Sequence, residues 1–110
     1  MKRGDIVLVV ARGDYGKPRP AVIVQSDLFN ATHASLLVCL LTTEIVKAPL
    51  FRLSLRPSPE NGLREVSQIM VDKVVAVPRG RVRDCIGAVD DTTLLAVNRS
   101  LALMLGLAGV

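Results

Sequence analysis

The chain has 110 residues, half of them apolar and three aromatic, with 14 Lys and Arg against 10 Asp and Glu and a net charge of +4. That length suits one domain, 1–110, with an aliphatic core, and excludes two; the basic balance favours anionic partners. The two cysteines, Cys39 and Cys85, lie in apolar runs and the single histidine, His33, has no ligand-spaced neighbours. Both cysteines therefore read as buried free thiols in a reducing compartment, with no metal site and no cofactor expected. The apolar run 6–11 is too short for a signal sequence, and Asn98 and Arg99 interrupt the apolar C-terminal stretch. No membrane segment is expected, and a cytoplasmic location is.

Residues 5–11 are nearly all apolar and predict a strand covered on both faces. Arg-Gly-Asp occurs twice, at Arg3-Gly4-Asp5 and Arg12-Gly13-Asp14, and reads as turn chemistry rather than an adhesion motif. Segment 12–20 carries two glycines, two prolines and four charges, which predicts a long loop on a rigid scaffold, where function tends to sit. It ends in Lys17-Pro18-Arg19-Pro20, followed at once by Ala21-Val22-Ile23-Val24. Each proline fixes its own φ and pushes the residue before it towards extended geometry, so Arg19 is restrained from both sides. A planar cationic fork held at the mouth of a strand suits a phosphate or a carboxylate.

A strand over 21–25 leads to Ser26 or Asp27, either of which caps a helical turn through Asn30. His33 follows in that connection. Residues 35–41 form an apolar strand ending in Thr42-Thr43-Glu44, and Pro49 breaks the chain before 51–56. That segment alternates, with Arg52 and Arg56 directed outward. Residues 57–62 are a turn. A strand over 63–70, a shorter one over 74–77 after Asp72-Lys73, and a last one over 81–88 complete the β content. Asp90 and Asp91 open a helix over 92–105, with Gly106 as its stop. Leu94, Val97, Leu101 and Met104 form one apolar stripe on it, for the core. Leu95, Ala102 and Leu105 form a second, which points to a dimer interface or to a deep groove in the same chain. Short strands with one terminal helix predict a mainly β fold: a small, strongly curved antiparallel sheet or partly open barrel.

Several of these segments, taken in order, carry a resemblance. Arg3-Gly4-Asp5-Ile6-Val7, Gly16-Lys17-Pro18-Arg19-Pro20-Ala21-Val22-Ile23-Val24, Thr42, Ser67-Gln68-Ile69 within 62–73, Ile86-Gly87-Ala88-Val89 and Leu105-Gly106-Leu107 resemble the MazF/PemK toxins of bacterial type II toxin–antitoxin systems. The resemblance implies an SH3-like barrel that forms homodimers and cuts single-stranded RNA, often messenger RNA, at short sequences. It also implies an antitoxin whose acidic tail occupies the RNA groove. Arg19 and Thr42 match the family's catalytic arginine and threonine. Several relatives carry a carboxylate just before the fifth-strand glutamine, where this chain has Ser67, so that role does not transfer.

Metal-independent RNA cleavage uses the substrate's 2′-hydroxyl as nucleophile, so the protein must stabilise charge on phosphorus and manage two protons. Arg19 suits the first task, and Thr42 can donate a hydrogen bond to a phosphate oxygen or orient the 2′-hydroxyl. His33, Asp14 and Glu65 are all candidates for general base. Ser67 and Gln68 can read base edges, and Tyr15 can stack on a base, while Phe29 and Phe51 are assigned to the core. A positive field is expected from Arg12, Lys17, Arg19, Arg52, Arg56, Arg79 and Arg81. Two other readings stand beside this one: a CcdB-like toxin that poisons DNA gyrase without catalysis, and a small RNA-binding module.

Overall fold

Alternating and continuous apolar runs fold into six antiparallel strands of one sheet, closed off by a C-terminal helix. The computed structural model describes residues 1–10 and 16–109. Its elements are β1 (Asp5–Val9), β2 (Arg19–Ile23), α1 (Asp27–Asn30), β3 (Ser35–Thr42), β4 (Arg52–Leu55), β5 (Ser67–Pro78), a 3-10 turn (Arg79–Arg81), β6 (Val82–Ala88) and α2 (Asp91–Met104). The strand order is β4-β5-β3-β2-β1-β6. The inner strands are apolar at nearly every position because both faces are covered. Ile6, Val22, Cys39, Leu41, Ile69 and Val71 pack with Val97 of α2. Their sequence neighbours Val7, Ala21, Ile23 and Val38 build a second core with Val9, Leu36 and Val77 on the opposite side.

The expected curved, partly open antiparallel sheet with a C-terminal helix is the architecture found. The ladder is not closed, since β4 and β6 are its two edges. The turn after β4 partly bridges that gap: Ala88 N–H donates to the Glu60 carbonyl at 2.9 Å. A side chain at Gly87 would collide with the Glu60 and Asn61 backbone, so this close approach requires glycine. Asn61 holds the turn, donating to the Arg56 carbonyl at 2.8 Å and accepting from the Ser58 and Leu63 N–H groups. On α2, the Asp90 carboxylate caps the Thr93 N–H at 2.7 Å. At the other end Gly106, at φ 73°, sends its N–H to Leu103 while Leu107 N–H reaches Ala102, the Schellman arrangement.

The structure differs from the sequence expectation in several places, among them the strand expected from residue 63, which begins at Ser67. Asp72-Lys73 does not separate two strands: β5 runs unbroken from Ser67 to Pro78, and across this stretch its register against β3 shifts, between Cys39 and Leu41. Cys85 is exposed, unlike buried Cys39. It lies on edge strand β6, where register shifts against β1 disturb the alternation. Cys39, by contrast, has its thiol pushed up to about 11 by burial. Phe29 is exposed and meets His33 edge-on at 6.4 Å, because the buried residue of this one-turn helix is Asn30, which donates to the Gln25 carbonyl at 3.0 Å. On α2, Met104 of the core stripe is exposed although Val97 is buried, whereas the exposed Leu95 and Leu105 agree with a second stripe that the sheet does not cover.

Candidate active site

The site begins with a proline. The β2–β3 ladder pairs Ala21 with Leu40, Val22 with Cys39 and Ile23 with Val38, and it stops short of Pro20. Proline has no N–H to continue a ladder, so pairing ends there. Two places further along the same register, Arg19 and Thr42 face each other beyond the last paired residues. Both line a cavity of about 360 Å³, together with Glu44, Val46, Arg52, Met70 and Lys73. Both also line a smaller one of about 170 Å³, with Pro20, Leu41, Thr43 and Ser67.

The row continues across the sheet. Thr42 pairs with Gln68, and Gln68 with Ser54. Thr42 is half-buried, and its Oγ1 accepts the Glu44 N–H at 3.1 Å; the hydroxyl proton is left to donate into the cavity. Gln68 is 3% exposed. Its Nε2 donates to the Val46 carbonyl at 2.8 Å and to Ser54 Oγ at 3.3 Å, and its Oε1 accepts the Val46 N–H at 3.0 Å. The carboxamide thus pins the middle of the loop between β3 and β4 to the sheet. Beyond this pin lies a further cavity of about 500 Å³, lined by Ile45, Lys47, Pro49, Arg52 and Ser54 among others. Arg52 stands between the two cavities as a fixed fork, Nε and Nη2 donating to the two Asp72 oxygens at 2.8 and 3.2 Å. That bond holds the Asp72 carboxyl below its usual range and pushes Arg52 up.

Of the residues expected at the site, Arg19, Thr42 and Ser67 come together. Ser67 is 4% exposed and its hydroxyl donates to the Glu65 carbonyl at 2.9 Å. Gln68 joins the row from beneath the loop, and Lys17 is exposed on the approach to β2. Arg12, Tyr15 and Asp14 lie outside the described residues. His33 lies beside Phe29, and its carbonyl accepts from Arg79 at 2.7 and 3.0 Å, away from the cavity. The expected positive field is only partly gathered. Arg19 and Arg52 share the main cavity, while Arg79 clasps the end of α1 and Arg56 and Arg81 line separate clefts. Lys73 and Glu44 are the charged lining residues that sequence reasoning missed. Glu44 sits two places after Thr42, and that short spacing from a strand-end threonine was the available signal. Among the described residues no three His, Cys, Asp or Glu side chains gather to hold a metal ion, and no helix is long and apolar enough to cross a membrane.

The fold of this open antiparallel sheet with its C-terminal helix is shared with solved MazF-type toxins. An endoribonuclease in complex with its cognate antitoxin from a mycobacterial species superposes at a TM-score of 0.81 with 24% identity, over 97% of this chain and 96% of that one. A MazE–MazF complex from Deinococcus radiodurans gives 0.77 at 21% identity, over 96% and 95%. In sequence, the chain is 46% identical over 110 residues to the probable endoribonuclease MazF of Mycolicibacterium smegmatis, covering 99% of this chain and all of that protein. Residues 2–105 match the family described as PemK-like, MazF-like toxin of type II toxin–antitoxin system. The chain belongs to that family, and the CcdB-like alternative is not favoured.

Proposed function

We propose that this protein is the toxin of a type II toxin–antitoxin pair, one domain over residues 1–110, and a metal-independent endoribonuclease that cuts single-stranded RNA at short sequences. By cutting messenger RNA it inhibits translation and growth. The observation that carries this reading is the convergence of Arg19 and Thr42 on one cavity where the β2–β3 ladder ends. The 2′-hydroxyl attacks the adjacent phosphorus, P–O5′ breaks, and the products are a 2′,3′-cyclic phosphate and a 5′-hydroxyl. The Arg19 guanidinium, a permanent cation, stabilises the extra charge on the phosphorane oxygens. Thr42 adds one neutral hydrogen bond.

Lys17, exposed just ahead of β2, binds the RNA backbone, Arg12 and Tyr15 are assigned to RNA binding from the sequence, and Ser67 closes the floor beneath the phosphate. Gln68 contributes by shaping the groove through Val46. The endoribonuclease names of the relatives support the activity. The solved complexes of MazF-type proteins with antitoxins support an antitoxin partner, and the cations Arg19, Arg52 and Lys73 of the cavity suit an acidic segment of it. The exposed apolar side chains of α2, Leu95 and Leu105 among them, suit a homodimer interface, and the site of action is the cytoplasm.

The test is incubation of purified protein with a long RNA, with and without EDTA. Cleavage that persists in EDTA is expected. Loss of cleavage in EDTA with recovery in magnesium would contradict the metal-independent reading. Toxicity without any RNA cleavage would favour a gyrase-type binder.

A further inference from the structure

Arg19 and Thr42 supply a cation and a donor, but the reaction also needs a proton acceptor. Asp14, one of the three candidates, lies outside the described residues, and His33 and Glu65 line neither cavity that holds Arg19 and Thr42. Glu44 is the carboxylate that does, among the described residues. Its position is fixed on both sides: its own N–H donates to Thr42 Oγ1 at 3.1 Å, and two residues on Val46 is pinned by Gln68. Its carboxylate engages no hydrogen-bond donor and no cation within 4.0 Å among the described residues. A negative charge beside Arg19, Arg52 and Lys73 works against holding phosphate, so its presence weakens RNA binding unless it serves the chemistry.

We propose that Glu44 is the general base of this site, taking the proton from the RNA 2′-hydroxyl; the proposal rests on the ribonuclease reading above. As the O2′–P bond forms and P–O5′ breaks, the 2′ proton passes to the Glu44 carboxylate. The departing 5′-oxygen takes a proton from water in the open groove, and Glu44 returns its proton to solvent. Arg19 on β2, Arg52 on β4 and Lys73 on β5 are the cations that line the cavity with it. Asp72, held by Arg52, is the other nearby carboxylate, so variants rather than the pH profile alone make the assignment.

The experiment is single-turnover RNA cleavage against pH for the wild type, Glu44→Gln, Glu44→Asp and Asp72→Asn, beside RNA affinity and circular dichroism. Wild-type rate should rise with pH at unit slope on an acid limb. Glu44→Gln should lower the rate at neutral pH by roughly 10²- to 10⁴-fold, the usual contribution of a general base, and flatten that limb. Its RNA affinity should stay level or rise. Glu44→Asp should keep the limb with part of the rate, and Asp72→Asn should keep both. A folded Glu44→Gln protein with near wild-type rate and an unchanged limb overturns the assignment while leaving the ribonuclease reading intact. Loss of RNA affinity in parallel with rate overturns it too, by making Glu44 a binding residue. A wild type that cuts no RNA overturns both.

Discussion

Thr42 and Gln68 face each other across β3 and β5, yet their polar atoms are used in opposite ways. Thr42 is half-buried at the end of its strand, with a hydroxyl proton left to donate towards the cavity it shares with Arg19. Gln68 is buried, with both amide hydrogens and its oxygen engaged by Val46 and Ser54. A saturated buried amide rigidifies what it holds, whereas a half-satisfied hydroxyl at a cavity wall is available to a substrate. The two arginines of the cavity also differ in where the fold places them. Arg52 is fixed on Asp72 inside the fold, whereas Arg19 stands where the Pro20 break opens the sheet.

That contrast can be broken most sharply at Arg19. Arg19→Ala should reduce single-turnover cleavage by roughly two to three orders of magnitude, the cost of one transition-state donor, with RNA affinity and circular dichroism changed far less. Arg19→Lys should restore only part of the rate, since an ammonium keeps the charge without the planar fork. Gln68→Leu comes next and should act on the fold as much as on the reaction. Thermal or urea unfolding should show a loss of about 1–3 kcal/mol, the usual cost of stranding buried hydrogen-bonding partners, with faster proteolysis in the loop between β3 and β4. Thr42→Ala should show the reverse balance: cleavage lower by about fivefold, one neutral hydrogen bond, with stability close to wild type. A Thr42→Ala protein that loses stability but not rate would erase the distinction between the two residues.

The smallest effect is expected at the Arg52–Asp72 pair. Because Arg52 holds the folded Asp72 pKa below its unfolded value, the stabilisation is present above the unfolded pKa of about 4. It is lost as pH falls through the folded value. Asp72→Asn should therefore cost less than about 1 kcal/mol at neutral pH and flatten the acid side of the stability profile below about pH 4. Urea midpoints measured across that range for both proteins would check this.

Much of the fold was legible because the signals were local. The aliphatic runs, the Ser26 cap, the turn around Asn61 and Gly62, and Asp90 and Gly106 at the two ends of α2 each carry their own chemistry. The junction of Arg19 with Thr42 was legible only through the family resemblance, since the two residues are far apart in sequence and meet by register alone. What escaped depends on pairings that no local pattern encodes. The register shift of β5 around Asp72 is a property of its ladder with β3, and the exposure of Cys85 goes with the extra residues that β6 itself carries against β1. Gln68 looked like a reader of bases because it follows Ser67 as a second polar residue on a predicted strand. Its burial follows from a loop folding back over it, which the sequence of that loop does not announce.

The central claim is that the RNA supplies its own nucleophile within the Arg19–Thr42 site. It is tested most directly with a short RNA whose cleavage position has first been mapped, and then resynthesised with a single 2′-deoxy sugar on the 5′ side of that bond. The account predicts that the substituted strand binds with near-unchanged affinity and is not cut there, while the all-ribose strand yields a 2′,3′-cyclic phosphate and a 5′-hydroxyl. Cleavage of the deoxy-substituted bond at a comparable rate would contradict it.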